Sequence, residues 1–499
     1  MKQRALLLAL SVALGACSES AESPARAPLI YVDAVAAAGG SGAADSPFST
    51  VAAAVASAQA GDTIVLAAGT YPEAIRLEEG HGIAEVRGAG PDLTLISPDA
   101  GRGVIVVGGK VTISSLMVTG AESAGLSGRD VELLLRDVHV QATQRVDRAG
   151  DGNGGGHGVQ VTDAKSVELI RCQLSNNHGA GLMISGVGLV TLDDPDTTTM
   201  PADAADGSRN PGFAPASVVS HNKGGGVAIV NPPAASAGSA HFVVRRTLIE
   251  GNDGFGLASY GVGGEVHASA VIGTRRPPSA DYADGVSLLE GVDPAAAATV
   301  VVAATTLLAD NEAAGARVAG HGHLRIAGVL RGNHKGGAWA VGPAATLSVE
   351  ASALLVANKG IGAGAAAGAM LWVQGARIGA TEAVYAVAPT GGIPELIADG
   401  VVIASGARAR IADANLSDNQ DAGLLLIEPA LLAGGFVDVQ VKGCTFGASE
   451  VGIAVNVLAA GQVSAAQAAG WQADNTFVGV KKAVALDTKL NTQRIPGPK

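Results

Sequence analysis

The sequence predicts an all-β solenoid, a right-handed parallel β-helix with three sides, and three observations carry that prediction. One is a repeated unit built on asparagine and glycine. Another is a set of short alternating apolar segments with no helical period. The last is a composition rich in glycine and poor in large aromatics, with 70 Gly in 499 residues and 3% Phe, Tyr and Trp.

The repeat has the form apolar-x-x-Asn-x-x-x-Gly. It occurs around Asn177, Asn222, Asn252, Asn311, Asn333, Asn358 and Asn419, each followed four residues later by Gly181, Gly226, Gly256, Gly315, Gly337, Gly362 and Gly423. Asn311, Asn333 and Asn358 lie 22 and 25 residues apart. That length suits one turn of three short strands at about 3.3 Å per residue. Segments such as Leu182-Met183-Ile184 alternate and lack a 3.6-residue period, which excludes helical repeats. Asparagine can bond its stacked equivalent in the next coil and tolerates a left-handed corner, and glycine suits a second turn with positive φ. The seven asparagines are therefore expected to form a structural ladder. The position after each one, His178, Lys223, Asp253, Glu312, His334, Lys359 and Gln420, is always polar and is expected to face solvent; His178 and Asp253 could also form a catalytic couple.

The amino-terminus carries a different signal. Lys2 and Arg4 precede an apolar stretch from Ala5 to Leu14 and the small-residue sequence Leu14-Gly15-Ala16-Cys17. The stretch is too short to span a bilayer. Leu14 to Cys17 resembles the lipobox of bacterial lipoproteins, which implies removal of residues 1–16, lipidation of Cys17 and an exported, membrane-anchored protein, for instance of the outer membrane. Residues 17–28, rich in Ser, Glu, Ala and Pro, read as a flexible tether. Residues 29–490 form one β-helix domain in this reading, and 491–499 a tail. Cys172 and Cys444 stand many coils apart, beyond disulfide reach, and each precedes an apolar strand position, so both are expected as buried thiols.

Ile30-Tyr31-Val32-Asp33, Ser46-Pro47-Phe48, Gly61-Asp62-Thr63-Ile64-Val65-Leu66 and Gly69-Thr70-Tyr71 resemble the opening module of secreted pectin-lyase-like proteins. Between them Thr50 to Gln59 reads as a short helix, begun at Ser49 or Thr50 and stopped by Gly61, that would cap the bore. The resemblance covers residues 30–490 as architecture and implies no particular reaction, because that superfamily holds lyases, hydrolases, epimerases and proteins of no known activity.

A net charge of −12 with no cationic run after residue 4 argues against a nucleic-acid partner. Four insertions offer places for chemistry: 143–157, 191–217, 273–284 and 388–399. A polysaccharide lyase needs a base to take a proton and a cation to neutralise a carboxylate. Arg145, Arg148, His157, Arg275 and Tyr282 are the base candidates, and Asp193, Asp194 and Asp196 would be the ligands of a Ca²⁺ ion. None has a diagnostic spacing, and no other cofactor is implied. Gly156-His157-Gly158 matches one element of polygalacturonases, but their Asn-Thr-Asp is missing and the one Asp pair, Asp193-Asp194, follows the histidine. Trp339, Trp372 and Trp471 could stack on sugars, although Trp339 sits within a strand. Three functions remain: a lipid-anchored envelope protein that binds glycan or serves a structural role without catalysis, a lyase or epimerase on acidic polysaccharide, and a partner-binding scaffold. Convergence of Arg145, His157 and the Asp193–Asp206 loop in one cleft favours the enzyme, and dispersal favours the binder.

Overall fold

A computed structural model describes residues 29–145, 155–194, 215–231, 240–278, 282–291, 297–386, 395–432, 437–456 and 462–486. Cys17, Arg148 and Asp196 lie outside the described residues.

Each coil contributes one strand to each of three parallel ladders. A typical coil runs Ser166–Ile170 on the first face, Gln173–Ser175 on the second and Leu182–Ser185 on the third, and the next repeats the order in register. The first two faces merge into a 28-stranded sheet because Lys110–Thr119 and Glu132–Gln141 run unbroken round the corner between them, turning at Ser115 (φ 55°) and Asp137 (φ 53°). The third face is a 16-stranded sheet in which Val384–Ala386 stands off the main path as an antiparallel addition. Parallel strands joined by these same-sense crossovers wind as a right-handed helix. Inward positions are filled by stacked Val, Leu and Ile. One continuous core runs from Ile30 to Trp471.

Among the described residues two short helices pack on the strands. Val51–Ser57 is N-capped by Thr50, whose hydroxyl accepts from the Ala53 N–H, and it buries Val51, Ala54 and Val55 against the first coil. It ends at Ser57, with Ala58 already extended, four residues short of Gly61. Ala465–Ala473 is capped by Ser464 and buries Trp471 in the last part of the core. Cys172 and Cys444 are buried free thiols, and burial pushes Cys172 up to about 12.

The seven ladder asparagines are fully buried. At Asn333, Nδ2 donates to Leu308 O (3.1 Å) and to Asn358 Oδ1 (2.9 Å), while Oδ1 accepts from Asn311 N and Nδ2 (3.2 and 2.8 Å). The left-handed corner residue is not the asparagine but its predecessor: Asn176, His221, Gly251, Asp310, Gly332, Ala357 and Asp418 all have positive φ. Inversion there turns the following amide side chain inward, where the ladder satisfies it.

The repeat glycines do not have positive φ either. They are required by close approach. A Cβ on Gly226 would lie 2.2 Å from Gly256 O, and one on Gly337 would lie 2.4 Å from Gly362 O and 2.9 Å from Asn358 Nδ2. The column is longer than the asparagine series. It runs without a break through Gly103, Gly125, Gly158, Gly181, Gly226, Gly256, Gly285, Gly315, Gly337, Gly362, Gly400, Gly423 and Gly452, a Cβ on each meeting the carbonyl of the next.

Candidate functional site

Two coils inside the asparagine series and one before it carry threonine instead. Thr143 N donates to Asn177 Oδ1 (3.2 Å), Thr274 N to Asn311 Oδ1 (3.1 Å) and Thr381 Oγ1 to Asn419 Oδ1 (2.6 Å). These are the coils whose turn from the second to the third face is expanded by an insertion before the column glycine. Three asparagine coils separate Thr143 from Thr274, and three more separate Thr274 from Thr381, so the insertions leave one corner about 19 Å apart.

In each expanded coil the residue before the column glycine is polar, and its side chain accepts an amide of the next coil. His157 Nδ1 accepts from Ala180 N (3.0 Å), Asp284 Oδ1 from Ala314 N (3.1 Å) and Asp399 Oδ1 from Ala422 N (3.0 Å). A buried amide must be satisfied, and these side chains do so where the chain rejoins the coil after its insertion. His157 can accept at Nδ1 only while neutral. Burial lowers its pKa, as the bond requires.

The sign of the resulting pH dependence follows. A depressed folded-state pKa means that stability is intact above the ordinary histidine value of about 6.5 and is lost as pH falls through the folded pKa. Burial also lowers His139 and His323. The His157 share is isolated by His157→Asn, whose Oδ1 can accept the same N–H at the position of Nδ1 without titrating. Urea midpoints measured from pH 7.5 to 5 are expected to fall less steeply for this variant than for the wild type; parallel curves would refute the role.

The polar column after the ladder is more regular than the seven repeats indicate. Lys223 N, Asp253 N, Arg275 N and Glu312 N bond successively to Asn177 O, Asn222 O, Asn252 O and Thr274 O, which places Arg275 between Asp253 and Glu312. Charges thus alternate along an exposed edge. Burial raises Asp253, opposed by Arg275 and reinforced by Glu312. His178 and Asp253 stand two coils apart with Lys223 between them, so they do not form a couple.

The densest chemistry lies where the 273–284 insertion rejoins the third face. Asp284 is buried (4% exposed); its Oδ2 accepts from Ser287 Oγ (3.1 Å) and stands 3.9 Å from Arg317 Nη1. Burial raises its pKa, opposed by Arg317. Tyr282, half exposed, stands two residues earlier and reinforces the burial that pushes Tyr260 upward. Trp339, at 9% exposure, lies one coil beyond Arg317 in a second apolar cluster and donates from Nε1 to Lys335 O (3.1 Å).

Asp193 and Asp194 lie at a different corner, between the first and second faces. Arg171 grips Asp137 with Nε and Nη2 (2.7 and 2.9 Å) and reaches Asp194 Oδ1 with Nη1 (3.3 Å). Arg246 Nη2 meets Asp193 Oδ1 (2.5 Å) and the Asp194 carbonyl. Asp137, Arg171, the Asp193-Asp194 pair and Arg246 make a column of alternating sign over consecutive coils. Both carboxylates are engaged by guanidinium, a different chemistry from an open cation cradle. Among the described residues no group of three or more His, Cys, Asp or Glu side chains is placed to hold a metal ion.

The structure brings Arg275 and Tyr282 to one insertion and places Arg145 with His157 four coils away. The Asp193 loop leaves another corner altogether. Sequence reasoning passed over Ser287 and Arg317 and took Asp284 only as the end of an insertion. A polar residue directly before a column glycine would have marked Asp284.

No sequence family matches the chain, and no curated protein matches it. Solved structures similar to it include the catalytic domain of a GH87 alpha-1,3-glucanase (TM-score 0.35, 12% identity, 84% of this chain and 64% of that one). The chain thus spans less than two thirds of that structure. Others are the A-module of the Azotobacter vinelandii mannuronan C-5 epimerase AlgE4 (TM-score 0.28, 13% identity, 86% and 90%) and the pectate lyase Pel9A (0.22, 12%, 92% and 77%). At these scores the likeness says nothing about reaction or ligand. Strand order, register and buried side-chain stacks make the chain a right-handed parallel β-helix protein.

Proposed function

We propose that the protein is a glycan-binding rod of the bacterial cell envelope, held at a membrane by lipid on Cys17, that retains polysaccharide without cleaving it. The observation that carries this reading is the dispersal of the groups a lyase would need. His157 is committed to the Ala180 amide, Asp193 and Asp194 to arginines, and Arg275 with Tyr282 lies four coils from His157. A regular face rising about 4.8 Å per coil offers instead a repeating surface to a repeating polymer. The test is retention of the purified protein on immobilised alginate, pectic polymer, glycosaminoglycan and neutral glucan, with and without Ca²⁺. Retention on at least one is expected; passage through all of them defeats the reading.

A second reading, a carbohydrate-active enzyme, is favoured by one observation. Asp284 is a buried carboxyl whose pKa is raised by burial against the opposing pull of Arg317 and Ser287, and burial of this kind suits a carboxyl to use as a general acid.

A further inference from the structure

Of the three tryptophans, Trp339 and Trp471 are buried (9% and 4% exposed), whereas Trp372 is 49% exposed in the middle of a strand on the first face. The alternation of Met370–Gln374 explains its direction: Leu371 and Val373 point into the core, and Trp372 points out. An exposed indole on a flat sheet costs hydration free energy that a covering ligand recovers. Its ladder partners are Ser348 and Arg410, with Arg325 one coil beyond Ser348.

The charge around it differs from that of the chain as a whole. Arg325 and Arg410 share its outward row and Arg408 stands beside Arg410, with Glu350, Asp438 and the Asp413 that accepts from Gln374 as counter-charges, so the surroundings are balanced in a protein of net charge −12. Asp438 serves two guanidiniums, Arg410 at 2.6 Å and Arg408 at 3.5 Å. Arg408 is 60% exposed, leaving donors for a ligand. A flat aromatic plate flanked by planar cations matches a pyranose ring that carries an anionic group.

Resting on the glycan-binding reading, we infer that this face is a stacking platform for an anionic polysaccharide, with a sugar ring lying on Trp372 and its acidic group facing Arg408. The ligand class comes from the three guanidiniums gathered at this one place. The first face elsewhere shows smaller side chains and glutamates, such as Glu168, Thr191 and Glu265 on the same outward row.

The test uses polymannuronate, with a neutral glucan of equal length as control. Tryptophan fluorescence is expected to change saturably with polymannuronate, and Trp372→Phe to remove that change. Retention on the immobilised polymer should weaken about tenfold or more in Trp372→Ala, and Arg408→Gln should weaken binding and flatten its salt dependence. Thermal midpoints of these surface variants serve as the folding control. Wild-type affinity in Trp372→Ala overturns the platform while leaving glycan binding elsewhere on the rod intact. Equal binding of the neutral glucan overturns the anionic assignment. Failure to retain any glycan defeats the broader reading and this inference together.

Discussion

Gly337→Ala is expected to destabilise the protein by about 3 kcal/mol, and Gly337→Val to prevent folding of the middle coils. Backbone conformation is not the reason, because Gly337 lies outside the left-handed region. A Cβ there would overlap Gly362 O at 2.4 Å and the ladder amide of Asn358 at 2.9 Å, and neither can retreat without parting two coils. Overpacking in a close-packed interior costs about 1–3 kcal/mol, and more when rigid backbone is the obstacle. The control is Gly109→Ala, where φ is +75° but nothing lies within 4 Å. That variant carries only the left-handed penalty of about 1–2 kcal/mol. Urea denaturation of the two variants separates the effects. A Gly337→Ala loss no larger than that of Gly109→Ala would show that the column tolerates side chains.

Asn333→Leu is expected to cost about 3–5 kcal/mol. The leucine fills similar space but leaves Leu308 O and the Asn311 N–H and Nδ2 buried without their partner. Each stranded group costs roughly 1–3 kcal/mol. Asn333→Thr should recover part of this loss, because Thr381 occupies the same column and its hydroxyl bonds the ladder amide of Asn419. A change below about 0.5 kcal/mol for the leucine variant, in the range of ordinary surface substitutions, would mean that the ladder records the fold without stabilising it.

The β-helix was legible because its signature is local: the asparagine and its glycine are four residues apart in seven coils, and their spacing sets the coil length. The coils of Thr143, Thr274 and Thr381 escaped that reading, since an insertion moves the glycine far down the chain and threonine replaces the amide. The roles assigned to Asn and Gly also differed from the geometry. Both residue types suit positive φ, yet the residue before each asparagine adopts it, and the column glycines answer a steric demand between coils that no single coil reveals. The site was less legible for a related reason. Which corner an insertion leaves depends on counting strands through stretches with no repeat, and one miscounted strand sends the Asp193 loop to the wrong side of the rod. Asp284 and Arg317 meet only because they stand on adjacent coils 33 residues apart in sequence. Trp372 was legible as a residue able to stack on sugar, but its cations come from neighbouring coils and are visible only in register.

The most direct test of binding without cleavage is the fate of a bound polymer. An acidic polysaccharide retained by the protein is incubated with it for days, and its chain length, reducing ends, unsaturated ends and C5 configuration are compared with those of untreated polymer. Unchanged polymer, still bound, is the predicted result. Shortened, unsaturated or epimerised chains whose formation stops in Asp284→Asn would contradict it and make Asp284 the acid of an enzyme.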